Sequence, residues 1–190
     1  THGVYTVSLT VVDDNGMGGT ETKTDYITAN YSGPVWYVSN VGDDTGQGTI
    51  DDPFENISNA VYLASSGDTI FVYEGIYTEI TSGSSNDDKH LFIASIHYPN
   101  IDSTTIQNTQ LQHIDWTLGS DIADKMEING FFINGDLNQN STHGLHITTT
   151  GISDTVYIKN CHIKNFQYGF GAHISDNVIA KFQNCNFSNN

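Results

Sequence analysis

The chain has 190 residues, with 22 acidic side chains against six basic ones, a net charge of −16 and a pI near 4.4. All six basic residues are lysines (Lys23, Lys89, Lys125, Lys159, Lys164 and Lys181). This excludes nucleic acid as a partner, because that contact needs clustered cations to displace counterions. It argues equally against anionic membrane surfaces, and no apolar run reaches the roughly 18 residues that insertion into a bilayer requires.

Hydrophobic residues make up 37 % and are patterned along the chain, which sets it apart from disordered sequences. An acidic, Asn/Thr/Ser/Gly-rich, lysine-poor composition fits an extracellular or cell-surface protein. The sequence opens inside one alternating stretch and closes inside a repeat, so a fragment of a longer protein is expected.

In chain order, "VYTVSLTVV" places Tyr5, Val7, Leu9 and Val11 on one face and Thr6, Ser8 and Thr10 on the other. That period of two predicts a half-buried strand. "DDNGMGG" reads as a turn, and Thr20–Ala29 alternates again, which predicts a hairpin. The run "YTVSLTVVDDNG…TETKTDYIT" resembles the last two strands of a PKD domain, an immunoglobulin-like β-sandwich. The resemblance implies that residues 1–29 are the C-terminal strands of such a sandwich, followed by a linker over 30–34.

Beyond it, "WYVS" predicts a short strand and "GDDTGQGTIDDP" a Gly/Asp loop. Ile57, Ala60, Val61 and Ala64 then recur at helical spacing, with Asn56 as N-cap and Gly67 as the stop. "DTIFVYEGIYTE" returns to strand, with Ile70 and Val72 inward and Phe71 and Tyr73 outward. The order "YVS…G.D…G….PF..I..A…A..GDTI.V..G.Y.E" resembles the start of a right-handed parallel β-helix of the pectin-lyase-like superfamily. The matching residues include Tyr37, Gly42, Asp44, Pro53, Phe54, Asp68, Gly75 and Tyr77. The resemblance implies an all-β fold over 35–190, with an N-terminal cap and capping helix in 35–79 and coils over 80–190. A coil of strands needs such a cap over its open apolar end.

The rest of the chain repeats. "MEINGFFING" (126–135), "VYIKNCHIKN" (156–165) and "AKFQNCNFSN" (180–189) align without gaps. Ile128, Ile158 and Phe182 share one column, Phe131, Cys161 and Cys185 the next, and Ile133, Ile163 and Phe187 a third. The steps are 158 − 128 = 30 and 182 − 158 = 24 residues; "GLHI" and "GAHI" add a step of 27. Uneven steps suit coils whose turns absorb insertions. "HLFIAS" (90–95) and "STTIQN" (103–108) are assigned to earlier coils.

Several residues qualify as sites. Cys161 and Cys185 stack on adjacent coils, about 4.8 Å apart if in register, so they are either buried thiols or a disulfide. His162 points away from Cys161, against a shared metal. His146 and His173 hold matching outward positions: a two-histidine metal ladder, or a polar face. Asp43, Asp44, Asp51 and Asp52 sit on a Gly-containing loop, either as calcium ligands or as turn braces. Tyr73, Trp116 and Tyr168 are candidate carbohydrate contacts, or fillers of grooves and loops.

The resemblance implies catalysis by an Arg or Lys base beside calcium in lyases, or by clustered Asp in hydrolases. Arginine is absent, no Asp cluster is visible, and Lys159, Lys164 and Lys181 read as solvated surface, so no catalytic residue is assigned and no cofactor beyond calcium is expected. The leading expectation is a non-catalytic extracellular or surface module for adhesion or polysaccharide contact. The alternatives are a fragment of a polysaccharide lyase or glycoside hydrolase with downstream catalytic coils, and a self-associating component of a surface layer or filament.

Overall fold

Period-two patterning becomes strand throughout the computed structural model, which describes residues 3–29, 33–81, 89–118, 125–135, 143–149, 154–166 and 170–190. The chain divides into two units, residues 1–32 and 33–190.

In the first unit, β1 (Gly3–Val12) and β2 (Gly18–Ala29) pair antiparallel. The Asp13 carboxylate closes their turn by accepting the N–H groups of Asn15 and Met17, and Gly16 supplies the left-handed residue at φ +79°. Hydroxyl pairs Ser8–Thr22 (2.9 Å) and Thr10–Thr20 (2.8 Å) line one face. The expected half-burial of the other face is corrected: Leu9 is 65 % and Val11 62 % exposed. Two strands form a single layer and cannot enclose their own apolar face.

The second unit begins with β3 (Val35–Val38), α1 (Ile57–Leu63), β4 (Thr69–Val72), β5 (Gly75–Thr81) and β6 (Phe92–Ser95). It continues through β7 (Thr109–Leu118), β8 (Lys125–Asn129), β9 (Phe132–Asn134), β10 (His143–Thr149) and β11 (Asp154–Lys159). The last elements are β12 (His162–Lys164), β13 (Phe170–Ile174), β14 (Val178–Gln183) and β15 (Asn186–Ser188). These strands form two parallel sheets. One runs β14-β11-β8-β6-β4-β3, and the other β13-β10-β7-β9-β12-β15, with β5 also on β7. The chain passes back and forth between the sheets, sometimes laying two consecutive strands in one of them (β3 and β4, β9 and β10, β12 and β13), and the inward side chains of both meet in one core.

The inward columns follow the repeats. Trp36, Ile70, Ile93, Ile128, Ile158 and Phe182 pair in sequence across six strands. The four isoleucines are fully buried, whereas Phe182 on the last strand is 40 % exposed. Leu111, Ile133, Ile163 and Phe187 form a second column. Each fully buried side chain of this kind contributes about 1.5–3 kcal/mol.

Bends between the sheets need left-handed residues, which Asn and Gly adopt at least cost. Asn160 and Asn184 (φ 49° and 53°) hold the first bend in successive repeats, with Gly130 (φ 83°) at the equivalent place. Their amides then form a ladder. Asn160 Nδ2 donates to Asn129 Oδ1 at 2.8 Å, and Asn184 Nδ2 to Asn160 Oδ1 at 3.2 Å. A parallel ladder joins Asn134, Asn165 and Asn189.

Two aspartates organise the cap. Asp68, nearly buried, accepts the Trp36 indole N–H and the Ser65 amide, both at 2.8 Å, while Trp36 stacks on Phe54. Asp44 accepts the amides of Glu55 and Asn56 and the Asn56 side chain. Asn56 therefore stands at the helix N-cap without capping it, because its amide is committed to Asp44.

The segment "STTIQN", assigned to an earlier coil, is a turn rather than a strand. Residues 105–108 of "STTIQN" form a 3-10 turn, started by the Asp102 carboxylate on the amides of Thr104 and Thr105. The strand in that region is β7, whose inward residues Leu111, Ile114, Trp116 and Leu118 change parity across Gln112–His113.

Candidate functional site

The outward residues of the first sheet form rows as regular as the inward columns. Phe92, Glu127, Tyr157 and Lys181 are paired neighbours in one row, and Asn129, Lys159 and Gln183 in the next. On β11, Tyr157 and Lys159 are two residues apart and share the outer face. Lys181 reaches the same ring from β14. The Lys159 and Lys181 ammonium groups lie 5.3 and 5.2 Å from the Tyr157 ring centre, within cation–π range. Lys181 Nζ is also 3.4 Å from the Tyr157 hydroxyl.

Glu127 anchors the cluster. Its carboxylate accepts Lys159 Nζ at 2.7 Å and Asn129 Nδ2 at 3.0 Å. Half of the chain's lysines sit on β8, β11 and β14, and two of them surround one phenol. Immediately after Lys159, the asparagine ladder borders a pocket of about 270 Å³ lined by Asp102, Ile106, Asn160, His162 and Asn184. Burial first, then the Lys164 ammonium, holds His162 below the ordinary histidine value. Amide hydrogen bonds from Thr105 and Thr104 hold the Asp102 carboxyl low. Neutral imidazole, carboxylate and amides thus line the pocket at the bend, and the chain leads there directly from the phenol and ammonium group of β11. That combination can hydrogen-bond hydroxyl groups and pair with carboxylates.

The second sheet carries a different outer row: Thr81, Asp115, His146 and His173. His146 Nδ1 lies 3.1 Å from Asp115 Oδ1, and the rings of His143, His146 and His173 are mutual neighbours. Burial, followed by the other two histidines, holds His143 below the ordinary value.

Of the residues singled out from the sequence, His146 and His173 meet on the second sheet, whereas Tyr73 and Trp116 join neither face. Trp116 is fully buried on β7 and offers no surface to a sugar; the slip at Gln112–His113 turns it inward. Tyr73 is half-buried with its ring tilted against Tyr37 at 6.3 Å, beside the cap. Tyr168 lies outside the described residues.

The acidic loop is braced by its own carboxylates. Asp43 accepts the Thr45 amide and hydroxyl, which keeps its pKa low, and Asp52 accepts the Gln47 amide. Asp44 is occupied at the helix start, and Asp51 is exposed. Among the described residues these carboxylates do not gather into a group of three or more placed to hold a metal ion.

Cys161 and Cys185 stand as free thiols rather than a disulfide. Their Sγ atoms are turned to the carbonyls of Lys159 and Ile158, each at 3.2 Å. Burial pushes the Cys161 thiol up, while a hydrogen bond from Cys161 brings Cys185 down to about 7.

No family model matches the chain, and no curated protein matches it. Among solved structures, a chain titled "Rhamnogalacturonan lyase" is similar at a TM-score of 0.41 and 15 % identity. The match covers 80 % of this chain and 56 % of that one, so the chain spans little more than half its length. At that score the likeness carries no argument about activity.

Proposed function

We propose that residues 35–190 are a right-handed parallel β-helix and that residues 1–29 close a PKD-like sandwich, in a protein that works outside the cell or on its surface. Its function in this reading is to hold an acidic polysaccharide, with uronate carboxylates on the ammonium groups of Lys159 and Lys181 and sugar hydroxyls on Tyr157, Asn160 and Asn184. The convergence of two lysines on the Tyr157 ring carries the reading. The net charge of −16 does not oppose it strongly, because charges beyond about 8 Å are largely screened at physiological ionic strength. No catalysis is needed.

The test is titration calorimetry with a polyuronate and with a neutral glucan. Salt-sensitive binding of the polyuronate alone, lost in the Lys159→Ala/Lys181→Ala double variant, is the expected result. Equal binding of both polymers, or of neither, contradicts the reading.

A second reading, a fragment of a polysaccharide lyase, draws support from Lys181 Nζ beside the Tyr157 hydroxyl, an amine and a phenol able to exchange a proton. It predicts that the polyuronate is cleaved to unsaturated ends, detectable by ultraviolet absorbance. Intact polymer after prolonged incubation contradicts it.

A further inference from the structure

The three histidines on the second sheet enclose a site that neither the fold nor the glycan reading explains. Their ring centres form a nearly equilateral triangle: 5.3 Å for His143–His146, 5.0 Å for His143–His173 and 5.2 Å for His146–His173. The geometry of a three-histidine metal centre can be worked out independently. With a metal–nitrogen bond of about 2.1 Å and a ring centre about 1.1 Å behind the nitrogen, tetrahedral angles place the ring centres about 5.2 Å apart. All three observed separations agree with that value.

The nitrogens themselves do not yet converge, since the rings lie stacked and tilted at 25° to 49° and, among the described residues, no group of three ligands is placed to hold an ion. Rotation of His143 and His173 about their Cβ–Cγ bonds swings their nitrogens but leaves each ring centre close to the rotation axis, while His146 keeps its hydrogen bond to Asp115. The triangle is therefore retained while the nitrogens turn inward, at the cost of a soft torsion.

Asp115 supplies an independent argument. Its carboxylate accepts a hydrogen bond from His146 Nδ1 at 3.1 Å. An ionised carboxylate cannot donate, so Nδ1 is the donor, which in the neutral ring leaves the lone pair on Nε2. A carboxylate on the far nitrogen of a histidine is the usual outer partner of a metal-bound imidazole, fixing both tautomer and ring orientation. His146 and His173 are direct neighbours on adjacent strands, and His143 stands three residues before His146 on β10.

We propose that His143, His146 and His173 bind one borderline divalent cation of the zinc, cobalt or nickel class, with Asp115 orienting His146. Imidazole donors select this class over calcium or magnesium, which require oxygen. Three protein ligands leave one coordination position to solvent or to an atom of a bound molecule.

The experiment uses the whole chain without an affinity tag, titrated with cobalt(II) chloride and followed by visible absorption. One equivalent with the strong bands of four-coordinate cobalt, displaced by zinc chloride, is expected. His146→Gln and His173→Gln each abolish the bands. Asp115→Asn weakens binding about 10- to 100-fold without removing the site. The ligands lie on the outer face, so unchanged far-ultraviolet circular dichroism is expected in every variant. Absence of saturable binding by the unaltered chain overturns the proposal. So does binding that survives in the His146→Gln/His173→Gln double variant.

Discussion

The two outer faces of the second unit rest on one core and differ almost completely in chemistry. On the β8-β11-β14 sheet, lysines, a phenol and amides surround Tyr157. On the β7-β10-β13 sheet, three imidazoles and a carboxylate gather at His146. The inward columns beneath both are apolar and close to interchangeable, Ile over Ile or Leu over Ile. Stacked strands place any residue type directly above its counterpart, so outward positions can build a site from single residues spaced one circuit apart. The scaffold fixes where residues meet, while their chemistry decides what the meeting does.

The largest predicted effect removes the distinction by removing what the faces share. Ile158→Ala empties a fully buried position in the longest column and is expected to cost about 2–5 kcal/mol in denaturant unfolding. Both faces should lose their ligands in parallel. Phe182→Ala, at the more exposed end of the same column, should cost distinctly less. Next comes the cap. Asp68→Ala leaves the Trp36 indole N–H and the Ser65 amide without their shared acceptor, a loss of about 1–3 kcal/mol measurable in the same way.

Gly130→Ala acts on the bend that separates the faces. The new Cβ would lie 2.3 Å from Ile101 Cδ1 at a φ of +83°. The left-handed backbone alone costs about 1–2 kcal/mol for a residue with a Cβ. The smallest effect is a pH dependence. His162 holds its proton less tightly when folded than the ordinary 6.5, so the unfolded chain binds more protons as pH falls. Stability is therefore retained above that value and declines as pH drops through it and below. His162→Gln should flatten the fall in melting temperature between neutral and mildly acidic buffer, leaving the neutral value nearly unchanged.

Much of the scaffold is legible in the sequence because its inward columns are apolar and its bends are Asn or Gly. Ile128, Ile158 and Phe182 can be aligned by eye, and the same alignment gives their pairing. The cluster around Tyr157 obeys the same alignment, since Lys181 follows Tyr157 by one 24-residue step, yet outward positions vary in type and do not announce themselves. Trp116 shows the opposite failure. A tryptophan after polar residues reads as exposed unless the change of parity across Gln112–His113 is known, and that change falls where β7 passes from pairing with β9 to pairing with β10, which local sequence does not show. In the acidic loop, composition suggests a cation site but does not reveal the turn chemistry, in which the amides of Thr45, Gln47 and Glu55 engage Asp43, Asp52 and Asp44.

The most direct test of the two-face account measures both ligands on one variant. Lys159→Ala/Lys181→Ala is titrated with a polyuronate and, separately, with cobalt(II). The account predicts that polyuronate binding is lost while cobalt binding stays at one equivalent with unchanged affinity. Polyuronate binding that persists in this variant would contradict the account.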